Sequence, residues 1–294
     1  MFYRRKVILA LLQLFGGELE KIRLQKLLFL FAQRQSKAEY DFVPYKFGCY
    51  SYSANADLTT MARKGMLAET ECNFKSNEST DYLKSLKESD RKELQEVKAL
   101  YGKMNADALM KHTYINYPFF AINSVKAESI LSTSEFEKVR SSKPSDNTSV
   151  LFTIGYEGIS LEEYLTRLLK NSVKILVDVR NNPLSMKFGF SKSLLKRYCE
   201  SLGIQYMHFP EVGIQSDQRQ ELNCQLDYDK LFATYKINNL SKTQTTQNTI
   251  LSLLKQHKRI ALTCFEADIC QCHRKHLSEA IAALPGFEYV VKHI

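Results

Sequence analysis

A chain of 294 residues that is 44% hydrophobic and 25% charged has enough apolar material for two folded cores and too much for a disordered chain. Its 41 Lys and Arg against 32 Asp and Glu leave a formal charge of +9, which favours polyanionic partners or anionic small molecules through long-range attraction. No apolar run has the length of a bilayer span, and seven scattered cysteines, an odd number, do not read as a secreted disulfide scaffold. The expectation is a cytoplasmic protein with no membrane partner.

The opening MFYRRKVILALLQLFGGELEK is basic and then apolar, as a signal peptide is. Its apolar stretch is brief, no small-residue cleavage pattern follows, and helical periodicity continues through LEKIRLQKLLFLF, so it reads as folded chain. Residues 4–15 and 21–34 form two helices split by Gly16 and Gly17. In the second, Leu24, Leu27, Leu28 and Phe31 belong to a broad apolar face, while Lys21, Arg23, Lys26 and Arg34 supply charge. YDFVPYKFGCYSY, 40–52, alternates aromatic and polar residues, and a third helix over 54–64 stops at Gly65 before a hairpin near 66–76.

Helices followed by a hairpin predict a mainly helical, winged-helix-like domain with connecting helices over 1–135. Residues 1–50 hold nine Lys or Arg and four Asp or Glu, a net of +5. Lys21, Arg23, Lys26 and Lys46 are therefore the candidate nucleic-acid contacts, with a protein partner or contacts within the chain as the competing use. RLQKLLFL (23–30), YKFGCYSY (45–52) and the helix carrying Asp57 and Leu58 up to Gly65 resemble the amino domain of toxin-neutralising and phage-associated proteins of the Panacea type. Cys49 stands where that run usually has proline. The resemblance implies a module and leaves its ligand open.

Residues 77–98 carry both charge signs and read as a solvated helix or linker; 99–124 read as a packing helix with a turn at Pro118. SSKPSDNTS, 141–149, is an exposed linker. Beyond it, over 149–294, the pattern becomes strand and helix in alternation. VLFTIGYEG (a short buried strand), KILVDVR, IQYMHFP and RIALTCFE are four strands, and Ser160 with Glu163 three residues on opens the first helix. The fold class is α/β: a parallel-sheet, Rossmann-like C-terminal domain, with functional residues expected beyond the strand carboxyl ends.

Three segments supply candidates at those ends. Gly155 and Gly158 bracket Tyr156 and Glu157, where glycine lets a ligand approach the backbone; a ligand-free tight turn is the alternative. Asp178 and Arg180 alternate on one side of the second strand, followed by Asn181, Ser185 and Lys187. They hold an anion and manage a proton, or they form a structural pair that pins the loop. In CFEADICQCHRKH, Glu266 follows the fourth strand, and His273 and Arg274 open a helix whose dipole disfavours cations, which points to an anion there. Cys272 beside them is a further ligand-contact candidate. Adjacent Cys272 and His273 demand an awkward wrap around one tetrahedral ion, so neither metal nor cofactor is expected.

TIGYEG (153–158), LVDVRNNPLSMKFGFSKSLL (176–195), GIQYMHFPEVG (203–213) and CFEADICQCHR (264–274) together resemble the DUF488 family, a group named for a domain of unknown function. The resemblance implies a small α/β domain with arginine, glutamate and the Cys-His-Arg run gathered together, and it supplies no reaction. Glu211-Val212-Gly213-Ile214 departs from the leucine and two glycines usual there. The expected function is association with nucleic acid or a nucleotide-like anion, with Glu266, Asp178 and Glu157 as candidate catalytic groups for base, glycosidic-bond or phosphoester chemistry. The alternative is a non-catalytic regulator or antitoxin-like adaptor that binds DNA or a protein partner.

Overall fold

The computed structural model describes residues 1–215, 218, 222 and 224–294. The chain divides into two compact units, Met1–Lys143 and Pro144–Ile294. In chain order the first holds α1 (Tyr3–Leu14), β1 (Glu18–Glu20), α2 (Lys21–Ala32), the antiparallel hairpin β2 (Val43–Tyr45) and β3 (Gly48–Tyr50), and α3 (Tyr52–Arg63). There follow β4 (Leu67–Glu69), β5 (Asn73–Ser76), α4 (Glu88–Tyr101), α5 (Ala106–Asn116), α6 (Ala127–Ile130) and α7 (Thr133–Ser141). β5 lies between β1 and β4 in a small antiparallel sheet. β1 is too short to show a period in sequence and exists because β5 pairs with it. The stretch read as a solvated helix or linker supplies most of α4, which sends Leu94 and Val97 into the core.

The second unit holds β6 (Val150–Gly155), α8 (Leu161–Lys170), β7 (Ile175–Asp178), α9 (Lys192–Ser201), β8 (Gln205–His208), α10 (Gln225–Asn238), α11 (Gln244–His257), β9 (Arg259–Cys264), α12 (His273–Ala282) and β10 (Val290–His293). The five strands form one parallel sheet in the order β10-β6-β9-β7-β8. Every residue of β6, β7 and β9 is buried, as continuous apolar runs in a sheet covered on both faces require. Ser160 caps α8 by accepting the Glu163 N–H at 3.0 Å. β10, formed by Val290-Val291-Lys292-His293, is a fifth strand that the four-strand reading omits.

β9 sits between β6 and β7, so the site's location follows from topology. Gly155 pairs with Cys264 and Asp178 with Thr263, which brings the segments after those three strands side by side. Such a reversal of strand order at the carboxyl ends is where open α/β sheets form clefts. Among the described residues no helix is long and apolar enough to cross a membrane.

Candidate functional site

At the junction of β6 and β9, a Cβ on Gly155 would lie 1.9 Å from the Glu266 carbonyl oxygen. The Tyr156 and Glu157 N–H groups both donate to the Phe265 carbonyl, at 3.1 and 2.9 Å. Gly155 therefore serves close packing between two loops of the chain, and the space expected for a ligand is taken by Glu266 backbone. Gly158 makes the turn that follows, with φ +77°.

Asp178 and Arg180 are both buried and bound to each other. Arg180 Nε donates to Asp178 Oδ1 at 2.8 Å, and Nη2 donates to Oδ2. Arg180 Nη1 donates to the Tyr156 hydroxyl and to the Phe190 carbonyl, each at 2.8 Å. Tyr206 OH donates to Asp178 Oδ2 at 2.6 Å, and the His208 ring meets the Arg180 carbonyl at 2.8 Å. Burial alone would lower the Arg180 pKa, but the Asp178 hydrogen bonds and charge, with Tyr156, leave it raised. Both carboxylate oxygens of Asp178 are engaged and the side chain is out of solvent, so this geometry suits pinning the loop and not proton transfer. Tyr206 and His208 escaped the sequence reading, although their two-residue spacing on β8 puts them on one side of the strand.

Beyond this pair lies a cavity of about 330 Å³ whose wall includes Tyr156, Arg180, Asn181, Asn182, Ser185 and Cys264. Phe265, Leu184 and Met186 also border it and are exposed. Tyr156 stacks on Phe190 with ring centroids 4.2 Å apart and meets Phe265 edge-on. Asn181 Nδ2 donates to the Pro210 carbonyl at 3.1 Å, and Ser185 Oγ accepts from the Lys187 N–H at 3.2 Å. Lys187 Nζ donates to the Tyr156 carbonyl; burial lowers its pKa, and the charges of Glu157 and Glu163 oppose that shift. Glu157 is exposed and accepts the Ala267 N–H at 3.0 Å.

The third segment forms a compact buried cluster. Cys264 Sγ donates to Glu266 Oε2 at 3.0 Å and lies 3.6 Å from His273 Nδ1. His273 Nε2 meets the Val179 carbonyl at 3.0 Å. A carbonyl only accepts, so Nε2 carries the proton and a neutral ring turns its Nδ1 lone pair toward Cys264. Burial, and then Cys264, pushes the Cys272 thiol well above its ordinary pKa, the opposite of an activated nucleophile. Arg274 is buried and donates to the Glu266 and Ala267 carbonyls. The anion expected at this helix start is thus replaced by carbonyls of the chain's own loop. The wrap expected to be awkward for adjacent Cys272 and His273 is resolved by the backbone. Cys272 is the extended N-cap of α12, with φ −129° and ψ 133°, and His273 is its first helical residue. That change of backbone direction lets adjacent side chains converge, and the ligand atoms of Cys264, Cys272 and His273 all lie within 4.8 Å of one another.

The three candidate carboxylates do not meet in the cavity: Asp178 is held beneath it, Glu157 binds the 267 backbone, and Glu266 lies against Cys264. The basic N-terminal candidates also part company. Lys26 is buried, with Nζ donating to the Cys49 carbonyl at 2.8 Å, and burial lowers its pKa; it is not available to a phosphate. Arg23 donates to the Gly102 carbonyl at 2.7 Å, Lys21 pairs with Glu69 at 2.7 Å, and Lys46 is exposed.

No curated protein matches the chain. The family model described as "Domain of unknown function DUF488" matches residues 160–281, which covers α8 through nearly all of α12 and leaves the Gly155–Gly158 turn just outside. That stretch of the C-terminal unit is similar to the DUF488 family.

Proposed function

We propose that the protein is nucleic-acid- or nucleotide-associated and that the cavity beyond β6, β9 and β7 receives a base. One observation carries this reading: the wall of the 330 Å³ cavity combines the Asn181 and Asn182 amides and the Ser185 hydroxyl with Tyr156 and a Phe265 ring left 42% exposed. Side-chain amides offer a donor and an acceptor to a base edge, and an open aromatic face stacks on any base. The cavity is of the size that small ligands occupy. Asp178 neutralises Arg180, and Arg274 donates to backbone carbonyls, so Arg274 contributes positive field to the site more than a grip on phosphate. The net charge of +9 adds long-range attraction.

Of the three carboxylates, Glu266 is the best placed to move a proton, since it adjoins Cys264, whose side lines the cavity. Base, glycosidic-bond or phosphoester processing are the reaction classes in view. A non-catalytic, cytoplasmic regulator is the second reading, favoured by the structural use of Asp178 and Glu157. The N-terminal unit supports a partner-binding role in either case: the order α1-β1-α2-α3-β4-β5 with a small antiparallel sheet fits a winged-helix-like module, and the Panacea-type resemblance agrees.

The test is a salt-series titration of the intact chain against single-stranded DNA, duplex DNA and RNA, with mass analysis of the recovered strands. Salt-tolerant binding that is lost on Asn181→Ala with Phe265→Ala supports the reading. Uniform weak binding that vanishes at moderate salt and ignores those substitutions overturns it. A product mass that disappears with Glu266→Gln, while binding persists, selects catalysis; unchanged strands select the regulator.

A further inference from the structure

We infer that Cys264, Cys272 and His273 form a zinc site, with the Glu266 carboxylate as its fourth donor. Three independent features of the geometry converge on this. A tetrahedral ion with Zn–S near 2.3 Å and Zn–N near 2.0 Å holds its sulfur and nitrogen ligands about 3.6 Å apart. Cys264 Sγ and His273 Nδ1 are 3.6 Å apart, and all three ligand atoms fall within 4.8 Å of one another. The histidine is also set in the manner of a metal ligand: its distal nitrogen is fixed on the Val179 carbonyl at 3.0 Å, which orients the ring and settles the tautomer. Finally, the donor set of two sulfurs, an imidazole and a carboxylate is the borderline-soft combination that suits zinc and not magnesium or calcium.

The cluster is a poor choice for apolar packing and a good one for an ion. All three residues are buried, and neither cysteine is in a disulfide. An ion bound by these side chains would tie the β9 end to the start of α12. Zinc binding replaces the two thiol protons, which leave to solvent as the sulfurs bind as thiolates, with no change of oxidation state. Cys264 lines the 330 Å³ cavity, so an ion has a path to the cluster from that side. Neither the ligand spacing nor the donor chemistry depends on what the cavity binds, although the site shares Cys264 with the cavity wall and Glu266 with the proposed proton transfer.

The full-length chain, reduced and stripped with a chelator, is titrated with Co²⁺ and then with Zn²⁺. One equivalent of Co²⁺ is expected to bring a thiolate charge-transfer band and tetrahedral visible bands, both displaced by Zn²⁺. Cys264→Ser and His273→Asn are expected to abolish this uptake, Glu266→Gln to weaken it with the thiolate band retained, and Cys270→Ser, at the exposed cysteine of the same loop, to leave it unchanged. Because the core variants can fail to fold, alkylation of the wild-type chain supplies the second reading: zinc should shield Cys264 and Cys272 and leave Cys270 reactive. A folded wild-type chain that takes up no equivalent, or whose thiolate band survives Cys264→Ser, overturns the site, as does alkylation of Cys264 and Cys272 at the same rate with and without zinc.

Discussion

Lys26 in the N-terminal unit and Arg180 in the C-terminal unit are both buried cations, 2% and 5% exposed, and burial disfavours the charge of each, yet the Lys26 pKa ends lowered and the Arg180 pKa raised. Arg180 has Asp178 against two of its nitrogens, with Tyr156 and Phe190 on a third. Lys26 rests on the Cys49 carbonyl, and among the described residues it forms no ion pair. The difference is one of counter-charge: a guanidinium clamped by a carboxylate keeps its charge in a dry site, whereas an ammonium facing a dipole holds its proton at a cost. The first arrangement fixes a frame beneath the cavity. The second makes Lys26 a core residue whose charge depends on pH.

Removing the counter-charge should have the largest effect. Asp178→Ala leaves Arg180 buried and unpaired and should destabilise the chain by about 3–5 kcal/mol, while Asp178→Leu with Arg180→Met should recover much of that loss. Urea unfolding of the singles and the double measures the coupling, and an additive double would show that the pair does not act as one unit. Gly155→Ala comes next. Its Cβ would meet the Glu266 carbonyl at 1.9 Å, and the overpacking should cost about 1–3 kcal/mol and displace the loop that carries Phe265. A thermal melt with ligand titration would check both effects.

Lys26→Met should change stability at neutral pH by less than about 1.5 kcal/mol, since it conserves volume and removes a burdened charge. Its pH signature is the sharper test. The folded pKa of Lys26 lies below the ordinary 10.5, so between the two values the unfolded chain holds a proton that the folded chain has released. Wild-type stability relative to Lys26→Met should therefore rise with pH through that window and level off above 10.5. A flat difference across the window would contradict the lowered pKa.

The strands of the C-terminal unit were legible because β6, β7 and β9 are short apolar runs, and Ser160 with Glu163 marked the start of α8. The position of the site was legible too, since polar residues gathered where those runs ended. What each residue does there was not. Gly155 looked like room for a ligand, but only the insertion of β9 beside β6 reveals the Glu266 carbonyl in that space. Arg180 and Arg274 looked like anion ligands because charge is visible in a sequence and the backbone carbonyls that absorb it are not. From the sequence, adjacent Cys272 and His273 need an awkward wrap to share one ion. The extended φ and ψ of Cys272 just before helical His273 remove that objection. Lys26 reads as one of the charges beside the apolar face of its helix, and the β2–β3 hairpin that covers it is fixed by contacts far along the chain.

The central claim is that the cavity recognises a base, and calorimetric titration of the intact chain with nucleoside monophosphates, set beside ribose 5-phosphate, tests it most directly. The account predicts heat of binding for at least one base-bearing ligand, none for the sugar phosphate at the same concentration, and loss of that heat on Asn181→Ala with Phe265→Ala. Equal binding of ribose 5-phosphate, or base-dependent binding that survives both substitutions, would contradict it.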